Sequence, residues 1–332
     1  MKSNDKILSQ DSLNIKSILE ESKNFIPKSN FQKVKQDRNK NSFLLAKFKR
    51  QISRIRIFPL SNKENYPGNY DKYVQTTLTH IAQLKNINFE YALEDPNIMK
   101  GVPNFKSEKN EICNGTHKKL LLLDLDETLI HADFDEEYAE NKSVKYDAII
   151  KFITKNENVF ENFEDGIEEE KTEEEEEIEH SVGIFLRNGV KEFLEEANKH
   201  FDIGIFTASA QEYADAVISF LDPEKKLIKY KLYRNNCIDF DELFSIKDLR
   251  ILKDVDLKDV ILVDNSMYSF ATQLENGILI NSFYCDKNDN ELFNVLGYLI
   301  NFILPAEDVR KVNEQFFNFQ KLVNDIISIN NY

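Results

Sequence analysis

Three short apolar runs punctuate the middle of this chain, each closed by a polar or acidic residue. They are Leu120-Leu121-Leu122-Leu123, Phe201-Asp202-Ile203-Gly204-Ile205-Phe206 and Val260-Ile261-Leu262-Val263. Runs this short and this continuous predict strands buried on both faces. Helical spacing over Gly189 to Lys199 and Gln211 to Leu221 lies between them, and the alternation predicts an α/β domain with a parallel sheet. Ligands of such sheets sit beyond the carboxyl ends of the strands. Those ends carry Asp124, Thr207 and Asp264.

The pattern weakens on either side. From Met1 to about residue 115 the apolar positions hold no period for long, which predicts a largely disordered, basic tail. One exception is Tyr70 to Phe89, where Tyr73, Leu78, Ile81, Leu84 and Ile87 predict a helix that docks on the domain after it. Between Ala132 and Ser181 lies an insertion whose flanks, Tyr146 to Ile153 and Val182 to Leu186, read as the strands of a hairpin with an acidic tip. Leu292 to Leu304 and Val309 to Ile329 predict two helices flanking Pro305. The expected organisation is therefore an N-terminal region 1–115, a folded α/β domain 116–305 with an acidic insertion at about 133–180, and a C-terminal helix within 306–332.

Composition adds limits. A chain of 332 residues is long enough for one sizeable core with tails and insertions attached. Its net charge of −15 argues against general nucleic-acid binding. Asp133 to Glu179 alone holds 19 acidic against 5 basic residues, so the imbalance belongs almost wholly to the insertion. Basic residues Lys47, Lys49, Arg50, Arg54 and Arg56 alternate with apolar ones, a stretch compatible with nuclear localisation, a membrane surface or plain solvation. Cys113, Cys237 and Cys285 have neither disulfide-framework nor zinc spacing, which suits a reducing compartment. No apolar stretch reaches the roughly 18 residues of a membrane span. We therefore expect a soluble intracellular protein, nuclear or cytoplasmic, and monomeric.

The chemistry concentrates directly after the first strand, at Asp124-Leu125-Asp126-Glu127-Thr128. Two carboxylates two residues apart share one side of the chain and repel each other, so one protonates or a divalent cation neutralises them. An all-oxygen site favours magnesium. Asp264-Asn265 adds further oxygens from another strand end. Leu123 to His131 resembles the first motif of the haloacid dehalogenase superfamily, in the form found in FCP/SCP-type carboxy-terminal-domain phosphatases. Phe206-Thr207-Ala208-Ser209 with Tyr213-Ala214-Asp215 resembles the second motif, Lys247-Asp248-Leu249 the third and Val263-Asp264-Asn265-Ser266 the fourth. Four motifs in order, over roughly Lys118 to Leu304, are far more specific than a lone Asp-x-Asp-x-Thr.

That resemblance implies a haloacid dehalogenase-like Rossmannoid parallel sheet with helices on both faces, a small hairpin insertion after the first strand and no large cap domain. It implies that Asp124 is a nucleophile forming an aspartyl-phosphate and that Asp126 is the general acid and base. Mg2+ would bind Asp124, the main-chain carbonyl of Asp126 and Asn265, with Asp264 close by. Thr128, Thr207, Ser209, Lys247 and Arg234 would serve the phosphate or the substrate. Plainer roles stand beside these: Asp124 and Asp126 as turn residues, Thr207 and Ser209 as helix caps, Lys247 as a surface lysine, Arg234 as an exposed ion pair. The implied activity is a phosphoserine or phosphothreonine protein phosphatase, with the RNA polymerase II C-terminal domain among candidate substrates. A binding scaffold of the same fold and a small-metabolite phosphatase are the alternatives. Met267, Asn188 and Cys285 depart from the family pattern of Pro, Pro and Asp, and none removes a catalytic group.

Overall fold

The computed structural model describes residues 77–82, 84, 93–105, 118–134, 145–156, 176–240 and 244–330. Five parallel strands make the central sheet: β1 (Lys119–Leu123), β5 (Phe201–Phe206), β6 (Ile228–Leu232), β9 (Val260–Asp264) and β10 (Gly277–Leu279), in the order β10-β9-β1-β5-β6. Leu120 to Leu123 are all buried, as are all six residues of β5 and all five of β9. Both faces of these strands are therefore covered, as their unbroken apolar runs predict. β1 pairs with β5 on one side and β9 on the other, so the chain reverses its direction of travel across the sheet at β1. The crevice outside the strand ends opens at such a point. At Gly204 in β5 a Cβ would meet Leu122 Cδ2 at 2.8 Å and Tyr230 Cβ at 3.1 Å, so a larger residue there would displace buried Leu122.

The predicted helices form as α1 (Val190–His200) and α2 (Gln211–Leu221). β6 and β10 were not anticipated. β6 reads Ile-Lys-Tyr-Lys-Leu and lies at the sheet edge, while β10 has three residues, and neither gives a run that stands out from the surrounding sequence.

The insertion forms a three-stranded antiparallel sheet in the order β2-β4-β3, from β2 (Ile130–Asp133), β3 (Ala148–Asn156) and β4 (Glu176–Leu186). The hairpin is present, and β2, which comes directly after the Asp124 loop, joins it. β4 reaches into the glutamate run, which like-charge repulsion alone would keep unpaired. Lys151 pairs with Glu179 at 2.8 Å and Lys155 lies opposite Glu177, so lysines on the facing strand offset that repulsion. No large cap domain is present among the described residues.

The folded body extends beyond 116–305 in both directions. Leu78, Ile81, Ile98 and Phe105 are buried in the same core as the central strands, and Asn236 donates to the carbonyls of Ile98 (2.8 Å) and Lys100 (3.1 Å). The helical residues 77–82 form part of the docking helix expected over Tyr70 to Phe89. At the other end α3 (Glu291–Tyr298) continues into a π-turn, Leu299–Ile303. The helix expected from Val309 to Ile329 is instead two, α4 (Val309–Phe316) and α5 (Phe319–Asn330). Asn318 between them has φ 59°, a left-handed conformation that ends α4 and that Asn tolerates. The basic stretch at Lys47–Arg56, Cys113 and the acidic tip at 157–175 lie outside the described residues.

Candidate active site

Asp124 continues β1 without a break, its N–H donating to Val263 O of β9 at 2.9 Å. Extended chain turns successive side chains to opposite sides: Leu125 is fully buried in the core, which leaves Asp124 and Asp126 on the side of the crevice. The backbone then tightens, with Leu129 N–H and Ile130 N–H both donating to Leu125 O. Glu127 takes φ 54°, a conformation that costs a non-glycine residue of order 1 kcal/mol or more. Phe283 N–H donates to Glu127 O at 2.8 Å, holding the strained residue in place.

Lys247 is the centre of charge. It is buried, and its Nζ donates to Asp124 Oδ1 and to Asp264 Oδ2, both at 2.6 Å. Burial favours its neutral form, but the two carboxylates outweigh burial and hold it well above the ordinary lysine range. The surface-lysine reading is thereby excluded. Burial lifts the Asp264 carboxyl to about 6 against the pull of Lys247, and Ser266 N–H donates to its other oxygen at 2.7 Å.

Asp126 stands apart from this ion pair. Ser209 Oγ donates to its Oδ2 at 2.7 Å and Tyr213 Oη to its Oδ1 at 2.5 Å. Burial raises its affinity for a proton, while the two hydroxyl bonds oppose that shift. The Tyr213 phenol is itself pushed far above its usual range by burial and by Asp126, so it stays protonated and remains a donor. Tyr213 lies in the first turn of α2. Helical side chains lean toward the helix N-terminus, which carries its hydroxyl over the strand ends.

The remaining residues expected at the site are distributed around these two groups. Thr128 Oγ1 donates to Asp124 Oδ2 at 3.0 Å and lies 3.5 Å from Asn265 Oδ1, bringing one oxygen of each toward a common point. Asn265 Nδ2 donates to Ser282 Oγ at 3.1 Å. Thr207 is buried after β5, and its hydroxyl accepts from Ser209 N–H at 3.0 Å, so it also shapes the turn before α2. Arg234, expected near the substrate, is exposed, and its Nε donates to Ala208 O at 2.7 Å, beside Thr207 and Ser209 on the rim. Ser209, expected at the phosphate, lies beside Thr207 and donates to Asp126 Oδ2.

Among the described residues no group of three or more His, Cys, Asp or Glu is arranged to hold a metal. Both Asp264 oxygens and both Asp126 side-chain oxygens already have protein partners. Asp124 Oδ2 and Asn265 Oδ1 share only the Thr128 hydroxyl, which leaves them room for a cation, and the family resemblance adds the main-chain carbonyl of Asp126. This mixed carboxylate, amide and carbonyl set suits a hard ion that keeps several waters, and three carboxylates against one lysine leave negative charge for a divalent ion to balance. The residues present fit magnesium.

Sequence reasoning passed over Arg187 as anything beyond a neighbour of the departure at Asn188. It is buried, donating through Nε and Nη2 to the two oxygens of Asp289 (2.9 and 2.7 Å), and to the carbonyls of Thr128 (2.9 Å) and Asn281 (2.7 Å). It thus ties the Asp124 loop to the segment before α3. Asn188 adds a bond from Nδ2 to Asp289 O, and Met267 is wholly buried. Partners about a hundred residues apart leave no local signal for Arg187, and Tyr213, although part of the second-motif resemblance, sits at an apolar helix spacing that gives no hint of its bond to Asp126.

A parallel sheet reversing at β1, with a strand-end aspartate paired to a buried lysine and a second aspartate two residues on, is the arrangement that the resemblance to haloacid dehalogenase-type phosphatases implies. The description of the family whose model matches residues 119–310 is "NLI interacting factor-like phosphatase". The chain belongs to that family, as an FCP/SCP-type domain. It is 38% identical to CTD small phosphatase-like protein 2 of Dictyostelium discoideum over 44% of this chain and 25% of that protein. It is 33% identical to CTD small phosphatase-like protein 3 of Caenorhabditis elegans over 59% of this chain and 58% of that protein. For CTD nuclear envelope phosphatase 1B of Danio rerio the identity is 32%, over 60% of this chain and 72% of that protein. The chain thus spans between a quarter and about three fifths of the first two relatives.

Proposed function

We propose that this chain is a magnesium-dependent phosphoprotein phosphatase acting on phosphoserine or phosphothreonine through an aspartyl-phosphate on Asp124. The observation that carries this reading is the division of labour between the two aspartates. Asp124 accepts a hydrogen bond from the buried Lys247 ammonium at 2.6 Å, the setting that suits a carboxylate nucleophile. Asp126, buried among hydroxyls, is placed to exchange a proton.

In the first step Asp124 Oδ forms a bond to phosphorus as the bond to the leaving oxygen breaks, and that oxygen takes the proton of Asp126. In the second, Asp126 accepts a proton from the water that attacks the aspartyl-phosphate, which releases inorganic phosphate and restores both carboxyl groups to their starting states. Lys247 and Thr207 stabilise the transferring phosphoryl oxygens, an electrostatic contribution of the kind that often dominates catalysis. Asp124, Asn265 and the Asp126 carbonyl would hold magnesium, which offsets the repulsion between an anionic phosphate and an anionic nucleophile.

Two observations support a protein substrate. The insertion is a small sheet rather than a cap, which suits an extended peptide, and Arg234 on the rim suits its flanks. The RNA polymerase II C-terminal domain is a candidate, as is any phosphoprotein with basic flanking residues. Nuclear residence belongs to the same reading, supported by the basic stretch at Lys47–Arg56. The deciding experiment measures hydrolysis of an aryl phosphate and of phosphopeptides with magnesium, with chelator, and with Asp124→Asn. Activity that survives in the variant sinks the mechanism, and activity that survives chelation sinks the magnesium requirement.

A further inference from the structure

Tyr213 connects two parts of the molecule that otherwise have separate tasks. Its hydroxyl bonds Asp126 Oδ1 at 2.5 Å. Its ring packs against Phe134, just after β2 (centroids 5.3 Å apart), and against Phe152 of β3 (5.6 Å). Phe152 in turn stacks on His180 of β4 at 5.0 Å. All three strands of the insertion therefore lead, through aromatic contacts, to one phenol. That phenol is 4% exposed, fixed by its ring on one side and its hydroxyl on the other.

From this geometry we infer that Tyr213 is a positioning residue, through which the packing of the insertion sheet aims the Asp126 carboxyl at the leaving oxygen of the substrate. The inference rests on the phosphatase reading above and adds to it a role for the insertion in chemistry. Ser209 holds only Oδ2. Without Tyr213 the carboxyl keeps one anchor and is free to turn about it, so proton delivery suffers while nucleophile, lysine and cation oxygens are untouched.

The consequence is specific to substrates that need the proton. A phosphoserine leaves as an alkoxide unless protonated, whereas an acidic phenol departs without help. The constant kcat/KM reports events up to departure of the leaving group, so the later hydrolysis of the aspartyl-phosphate does not obscure it. For Tyr213→Phe, which keeps the ring contacts, kcat/KM on a phosphoserine peptide should fall about ten- to a hundredfold, a share of what a placed general acid contributes. Across aryl phosphates of graded phenol acidity the loss should shrink steadily, to about threefold or less for the most acidic phenol. Phe152→Ala, which keeps the hydroxyl and loosens the ring, should show the same trend more weakly.

An equal loss across the series would mean that Tyr213 serves binding or folding, and no loss would mean that Ser209 suffices; either result overturns the inference. Should the wild-type chain hydrolyse no phosphate ester, the phosphatase reading fails by itself. A crystal structure of Tyr213→Phe then decides the positioning claim independently: a turned or disordered Asp126 carboxyl supports it, and an unmoved one overturns it.

Discussion

The central sheet and the insertion sheet are built by opposite rules. In β1, β5 and β9 nearly every side chain is buried and the strand ends meet the crevice, so positions are fixed by packing from both faces. In the insertion sheet alternate residues meet water: Ile149 and Ile153 are 55% and 52% exposed, and Lys151 and Glu179 pair at the surface. The first kind of sheet fixes Asp124 and Asp264, while Lys247, directly after the small antiparallel pair of β7 (Ile238–Phe240) and β8 (Phe244–Ile246), reaches both carboxylates from beside it. The second can vary in sequence while its inner face still packs on Tyr213. In the proposed reading the rigid sheet carries the nucleophile, while the looser one faces the substrate and packs on Tyr213.

The comparison breaks most visibly at the strand ends. Asp124→Asn should abolish turnover, by at least about a thousandfold, with little change in thermal melting, because the nucleophile acts as part of a unit. Lys247→Met should remove activity and stability together. It leaves Asp124 and Asp264 buried without their cation, at a cost of about 3–5 kcal/mol, read from denaturant unfolding. A result in which either change is mild would show that the central sheet tolerates more disorder at its ends than its burial implies.

Packing gives the next contrast. Leu122→Ala in β1 should cost about 2–5 kcal/mol through the cavity it leaves, whereas Ile153→Ala on the outer face of β3 should stay within about 0.5 kcal/mol. Equal costs would contradict the two-rule description.

Glu291, at the start of α3, sharpens the comparison through pH. Burial lifts its carboxyl from an ordinary 4.5 to about 7, despite Arg187 and Asn281 nearby. The folded state keeps a proton that the unfolded chain has already lost, so this group makes stability fall as pH rises from about 4.5 through 7. Glu291→Gln should remove that slope and make the protein more stable at pH 8, by an amount on the order of 2 kcal/mol, with little effect at pH 4.5.

The smallest expected effect concerns the acidic insertion. Phosphopeptides with basic flanks should be preferred over acidic ones by a factor of roughly a few at low salt, a preference that fades as salt screens the charges. Equal turnover of the two sets at low salt would remove the insertion from substrate choice.

Much of this was written in the sequence. Continuous apolar runs named β1, β5 and β9, and because ligands gather beyond such strand ends, they also named Asp124, Thr207 and Asp264. The two aspartates were legible because their spacing of two is a local property of extended chain. The tertiary structure decided everything that depends on partners far apart in the chain. It bonded Ser209 and Tyr213 to the Asp126 carboxyl and Arg187 to the Thr128 carbonyl, and added β2, β6 and β10 and the burial of Ile98 and Phe105. Periodicity reports which face of an element is wet, but a hydrogen bond between residues eighty or a hundred positions apart exists only once the sheet has brought their strands together.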